Sequence, residues 1–263
     1  MSDVILFTVD EGLARLTLNR PERLNAFNAE LAHAWRDATV EATTRDDVSA
    51  VLIDAVGPAF CAGGDVIEMA TTGGSETDIA ALAEVINTGI RALTESAVPV
   101  VAAAHGTTAG GGLGILLSSD YAVIGGRSKL GSLYANIGLT PDLSVSAQLA
   151  RAVGQRRALQ LVLQDRMLTA EEAVEWGLVA EAVAGEDAVT EAQLVRARAE
   201  EVARFWLDGA AAAYGQAKRL VRSQPERSFV EQLSEEARSI GAAMATPDAQ
   251  ARIAAFAAQS RSR

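Results

Sequence analysis

Two glycine-rich turns in this chain share one layout. "FCAGGDVIEM" (residues 60–69) follows an apolar β-type run, Val51 to Ala55, and leads into a helical pattern. "TAGGGLGILL" (108–117) follows Val98 to Ala104 and does the same. Glycine weakens a helix by roughly 1 kcal/mol per residue relative to alanine, so such clusters need a reason. A strand-to-helix turn built from glycine leaves backbone N–H groups unhindered at the positive end of a helix. Such groups suit an anion or a developing oxyanion. The other reading is that glycine merely lets helix and strand pack closely. Neither turn ends in the Gly-Lys-Ser/Thr of a phosphate loop. "GGGLG" also lacks an acid about 20 residues on that closes a second strand, so it is not a dinucleotide fingerprint.

Few side chains near these turns are reactive. Asp142 in "IGLTPDLS" reads on residue chemistry alone as an N-cap for the helix carrying Val145, Leu149 and Val153, a role Ser144 could also fill. Tyr134 either packs its ring and wets its hydroxyl or donates a hydrogen bond or proton. Glu68 reads first as part of a solvated helix face. Cys61 has no partner that would make it a nucleophile and reads as a small buried hydrophobe. His105 at a strand end and Asp120 at a helix end read as structural.

The elements that position these residues follow from periodicity. "VILFTVDEGLARLTLNRP" holds two β-type runs around Asp10-Glu11-Gly12, a predicted hairpin stopped by Pro21. From Asn28, a candidate N-cap, to about Arg45, Leu31, Ala34, Trp35, Ala38 and Ala42 recur at helical spacing. "VSAVLIDA" and "VPVVAAAHG" read as buried strands, with a helix over most of 78–95 between them. This alternation predicts an α/β core with some parallel pairing. "YAVIGG" and "SKLGSL" read as short strands. From about Val145 onward the chain is almost wholly helical, with "LTAEEAVEWGL" capped by Thr169 and ended at Gly177. The spacing predicts breaks near Gly209, Pro225 and Pro247. A composition shift near residue 200 predicts a core over 1–200 and a helical region over 201–263.

Composition narrows the classes. A length of 263 residues fits one large domain, or one with a small appendage. A formal charge of -11 argues against non-specific nucleic-acid binding and against an anionic membrane surface. The one cysteine makes no intrachain disulfide, and acids stand in "MSDVILFTVDEG" where a basic leader would; both suggest a cytoplasmic location. Val98 to Leu117, the most apolar long stretch, is broken by Pro99, His105 and several glycines, and reads as strand, turn and helix. Two histidines and Cys61 without ligand spacing give no metal signal.

Four segments, "LNRPERLNAFN", "AFCAGGD", "VPVVAAAHGTTAGGGLGILLSSD" and "NIGLTPD", together resemble the crotonase (enoyl-CoA hydratase/isomerase) superfamily. The match runs in consistent order from the first strand to about Val183. It implies a spiral of ββα units, a C-terminal helical region that assembles a homotrimer or dimer of trimers, and an acyl-CoA thioester substrate with no prosthetic group. It implies that the amides at Ala62 and Gly111 hold the thioester oxygen. It places CoA contacts at Arg23, Leu24, Ala26, Ala62, Gly64, Asp65 and Lys218, with Arg219 beside the last.

Hydratases of the superfamily carry two glutamates, and the matching positions here are Gly114 and Tyr134. Asp142 resembles the aspartate of superfamily isomerases that move a double bond along an acyl-CoA. The resemblance therefore implies an enoyl-CoA isomerase with Asp142 as proton shuttle and Tyr134 as a further catalytic candidate. Hydration by a different residue set, thioester hydrolysis, carbon–carbon chemistry and a non-catalytic acyl-CoA binder are the alternatives.

Overall fold

The computed structural model describes residues 3–72, 75–164 and 166–261. The chain opens with β1 (Ile5–Asp10) and β2 (Leu13–Leu18), paired antiparallel. Glu11 and Gly12 close the hairpin at φ 46° and 84°, the left-handed pair that a two-residue turn of matching twist requires. Next come α1 (Ala29–Thr44) and β3 (Ala50–Ala55). Asn28 caps α1 by accepting the Leu31 amide at 3.0 Å. The pattern repeats with α2 (Val66–Thr72), α3 (Glu76–Glu95), β4 (Val100–Ala104), β5 (Thr107–Ala109), α4 (Gly111–Leu117), β6 (Tyr121–Gly125) and β7 (Lys129–Gly131).

The second half is α5 (Val145–Val162), β8 (Leu168–Thr169), α6 (Ala170–Glu175), β9 (Glu181–Val183), α7 (Ala188–Asp208), α8 (Ala211–Ser223), α9 (Phe229–Met244) and α10 (Pro247–Arg261). Thr169 opens α6 with a capping box, and Gly177 follows it at φ 73°. The expected breaks near Gly209, Pro225 and Pro247 all fall between helices. The expected division after residue 200 does not, because α7 runs unbroken through it. Val195, Ala199, Val202 and Ala203 of that helix pack on the sheet, so the core extends to Asp208.

Two sheets form. The larger has the order β1-β2-β3-β4-β6-β9, parallel throughout except at the β1 edge. Helices cover both of its faces, so β3 reads as an apolar run interrupted only by Asp54, while its side chains still alternate. Val51 and Ile53 join Leu16, Trp35 and Phe60 on one side. Ala50 and Leu52 meet α7 on the other. The smaller sheet, β5-β7-β8, holds the second glycine turn against the first. β5, β8 and β9 are two or three residues long, too short to show a period of their own. Among the described residues no helix is long and apolar enough to cross a membrane.

Candidate active site

The two glycine turns are stitched side by side by backbone hydrogen bonds. Phe60 donates to the His105 carbonyl at 2.8 Å, Cys61 to Thr107 at 3.2 Å, and Ala109 back to Cys61 at 3.0 Å. The other edge of the first turn is tied to the segment before α1. Phe27 donates to Gly63 at 2.7 Å, and Asp65 donates to Phe27 at 2.9 Å. Gly63, at φ 107°, then faces the second turn so closely that a Cβ there would lie 3.0 Å from the Ala109 carbonyl and 3.3 Å from the Gly111 nitrogen. Gly110 takes φ 53° to launch α4. The glycines serve close approach and left-handed turns at once.

This geometry corrects the assignment of Ala62. Its amide donates to the Leu24 carbonyl at 3.0 Å and is not free for a ligand. Among the described residues, no carbonyl or side-chain acceptor takes the amides of Gly64 or Gly111. The amides of Gly63 and Gly112 are likewise without an acceptor among the described residues, so free donors stand on both turns, which touch.

Beside Gly111 stand the residues from the second half of the motif. Leu133, at φ 54°, introduces a single 3-10 turn at Tyr134–Ile137, which Gly138 closes at φ 73°. Asp142 follows Pro141 and precedes two more left-handed residues, Leu143 (φ 46°) and Ser144 (φ 67°). Such backbone costs of order 1–3 kcal/mol per residue and persists only where surrounding contacts hold it. The result is that the Tyr134 hydroxyl donates to Asp142 Oδ1 at 2.5 Å and lies 3.8 Å from where a Cβ on Gly111 would stand.

Asp142 is therefore not the side-chain cap of α5, and neither is Ser144, which sits at the cap position without a capping bond. The Asp142 residue is exposed. Desolvation of its carboxyl nevertheless pushes the pKa above the usual aspartate value, outweighing the Tyr134 hydrogen bond, which pulls it down. Burial and the adjacent Asp142 charge push the Tyr134 hydroxyl upward.

Leu143 is the residue that the sequence did not flag. Its side chain seats on Gly111, 2.7 Å from a Cβ built there, and its carbonyl lies against Gly114, well inside van der Waals contact with a Cβ at that position. Gly111 and Gly114 share a helix face at i, i+3. The repeated glycines of α4 were the available signal that something packs on this face. No side chain fits at 114 without moving main chain.

Of the proposed CoA contacts, Arg23 is exposed and makes no ion pair or side-chain hydrogen bond among the described residues. Leu24 is 41% exposed at φ 51°, its carbonyl held by Ala62. Ala26 is buried, with its carbonyl taken by the Arg20 guanidinium. Asp65 is a correction: its carboxylate pairs with Arg20 at 3.2 Å and accepts the Glu68 amide at 3.1 Å. Burial works against the Asp65 charge, but the Glu68 amide, Arg20 and Arg23 together hold its pKa below the usual value.

Lys218 is a third correction. Its buried ammonium donates to the Leu93 and Val98 carbonyls, each at 2.6 Å, and pairs with Asp120 at 3.1 Å. It ties α8 to the end of α3 and cannot reach a phosphate. Arg219 likewise pairs with Glu235 at 2.7 Å.

The remaining candidates are held by neighbouring groups. The Cys61 thiol is fully buried and pushed up to about 12 by burial. His105 Nε2 meets the Gly57 carbonyl at 2.7 Å. Asp120 accepts the Val100 amide at 2.9 Å and pairs with Arg222 and Lys218. Glu68 accepts from Asn28 at 3.1 Å, beside a cleft of about 530 Å³ lined by Phe27, Met69, Leu82 and Val85 among others.

Residues 8–262 match the family model described as enoyl-CoA hydratase/isomerase. The chain belongs to this family. It is 36% identical over 177 residues to the trans-2-decenoyl-[acyl-carrier-protein] isomerase of Streptococcus mutans, spanning 66% of this chain and 67% of that one. To the 1,2-epoxyphenylacetyl-CoA isomerase of Escherichia coli it is 34% identical over 196 residues, 73% of this chain and 74% of the other. The crystal structure of an enoyl-CoA hydratase from Mycobacterium smegmatis superposes with a TM-score of 0.89 at 26% identity, covering 98% of this chain and 97% of that one. The fold is thus the crotonase fold, and relatives named for isomerisation and for hydration both lie close to this family member.

Proposed function

We propose that this enoyl-CoA hydratase/isomerase family member moves a double bond along an enoyl thioester of coenzyme A, with Asp142 as the proton carrier. One observation carries the reading. The carboxylate that meets Tyr134 beside Gly111 is Asp142, while position 114 is a glycine under the Leu143 main chain.

The Asp142 carboxylate takes a proton from C2 of a 3-enoyl thioester. The electron pair moves through the conjugated system onto the thioester oxygen. Negative charge gathers there, and the amides of Gly64 and Gly111 receive it. Donors placed for the enolate stabilise the transition state more than the ground state, and one such donor is worth about 3 kcal/mol. The protonated Asp142 then delivers the proton to C4, leaving a 2-enoyl thioester of unchanged composition. A carboxylate whose pKa lies above the usual aspartate value is the stronger base for the first proton transfer. Arg23, exposed and unpaired among the described residues, is the cation we assign to the CoA phosphates.

Product mass, read beside the ultraviolet absorption of the conjugated thioester that isomerisation creates, tests the reading. Incubation with 3-hexenoyl-CoA is expected to give 2-hexenoyl-CoA at the mass of the substrate. A product heavier by one water, or free CoA, in place of the isomer assigns the chain to hydration or hydrolysis instead.

A further inference from the structure

We infer that Tyr134 is a positioning residue for Asp142: its hydroxyl holds Oδ1 of the carboxylate and leaves Oδ2 as the oxygen that exchanges the proton. The inference rests on Asp142 acting as base, and it concerns a residue for which ring packing alone would otherwise suffice.

Three observations carry it. The O–H···O distance of 2.5 Å falls in the short range of hydrogen bonds to an ionised carboxylate. Both partners are fixed by backbone held in the left-handed region: Leu133 before the tyrosine, Leu143 and Ser144 after the aspartate. The hydroxyl also stands 3.8 Å from the Cβ position of Gly111, so the tyrosine spans the gap between the oxyanion donors and the carboxylate. An exposed aspartate without such a partner would sample several rotamers and lose the fixed approach that proton transfer needs.

The surrounding charges agree. Tyr134 on its 3-10 turn and Asp142 face each other, and the buried Cys61 thiol acts on the tyrosine only weakly, through electrostatics. α4, which meets Tyr134 at Gly111 and Leu143 at Gly111 and Gly114, is "GGLGILL" and contributes no titratable group. Burial and the Asp142 charge keep the tyrosine protonated, so it donates and does not act as the base itself.

The arrangement implies a compromise. The hydroxyl orients the carboxylate but also stabilises its anion, which lowers its basicity. Tyr134→Phe keeps the ring and removes only the donor. For isomerisation of 3-hexenoyl-CoA, kcat is expected to fall about tenfold with KM within about twofold. The acid limb of the rate profile should move up by about one pH unit, because the hydrogen bond that depresses the Asp142 pKa is gone.

The same shift is read without substrate by 13C NMR of protein labelled at aspartate Cγ, with the Asp142 resonance identified from Asp142→Asn. Its midpoint should lie about one unit higher in Tyr134→Phe than in the parent. Equal midpoints overturn the inference. A parent protein that does not isomerise the thioester removes the proposed reaction, while the carboxyl titration still decides the role of Tyr134.

Should Tyr134→Phe fail to fold, 13C at the tyrosine Cζ answers the question in the parent, which has only three tyrosines. The Tyr134 resonance should follow the Asp142 titration and lose that pH dependence in Asp142→Asn. A Cζ resonance indifferent to Asp142 means that the ring only packs.

Discussion

Asp142→Asn is expected to lower kcat for isomerisation of a 3-enoyl-CoA by about a thousandfold, within the span that general acid–base catalysis contributes. Asparagine matches aspartate in shape and still accepts the Tyr134 hydroxyl, so the site should keep its geometry and lose only its base. KM should change little, since the amides of Gly64 and Gly111 and the exposed Arg23 are untouched. Asp142 is exposed and its carboxylate does not cap α5, so the variant should also melt with the parent. Steady-state kinetics beside a thermal melt check both halves. A rate within about threefold of the parent would take Asp142 out of the mechanism.

The second large effect is on stability, and it comes from the smallest possible side chain. Gly114→Ala places a Cβ against the Leu143 carbonyl, which is main chain and sits in a left-handed turn with Ser144. Overpacking of this kind ordinarily costs about 1–3 kcal/mol, and a clash with strained backbone belongs at or above the top of that range. At roughly 2–4 °C per kcal/mol for a chain of this size, Tm should fall by roughly 10 °C. Calorimetry of the variant checks it, and an unchanged Tm would show that the 143–144 turn moves freely. The functional corollary is that Gly114→Glu yields no water adduct. The space for that acid is closed by Leu143, so a single substitution cannot supply it.

The same residues show how far a sequence carries the argument. The β1–β2 hairpin, the Asn28 and Thr169 caps and the buried runs of β3 and β4 are local patterns, and each formed as the residue spacing implied. The shared layout of the two glycine turns was also legible, because both follow a buried strand and open a helix, while their coming together was implied by the family resemblance alone. Which amide faces the cleft was not legible. Along the loop at 61–65 neighbouring N–H groups point to different partners, and Ala62 meets the Leu24 carbonyl nearly forty residues away. The donor we propose on this turn is Gly64, two residues on.

Lys218 failed as a CoA contact for a similar reason. A lysine in "GQAKRLV" reads as surface charge, but carbonyls at 93 and 98 and the Asp120 carboxylate, all about a hundred residues earlier, converge on it. Asp65 was lost to Arg20 in the same way. Asp142 moved in the opposite direction. Local chemistry ranked it as a cap, and the left-handed turn at Leu143 and Ser144 frees its carboxylate for Tyr134.

A crystal structure with a non-reactive acyl-CoA thioester tests the central claim most directly. The thioester oxygen should sit about 3 Å from both the Gly64 and Gly111 nitrogens. Asp142 Oδ2 should stand within about 3.5 Å of the reacting chain carbon. A thioester oxygen bound away from those two amides contradicts the account, as does a carboxylate more than about 6 Å from the chain, beyond reach even through one water.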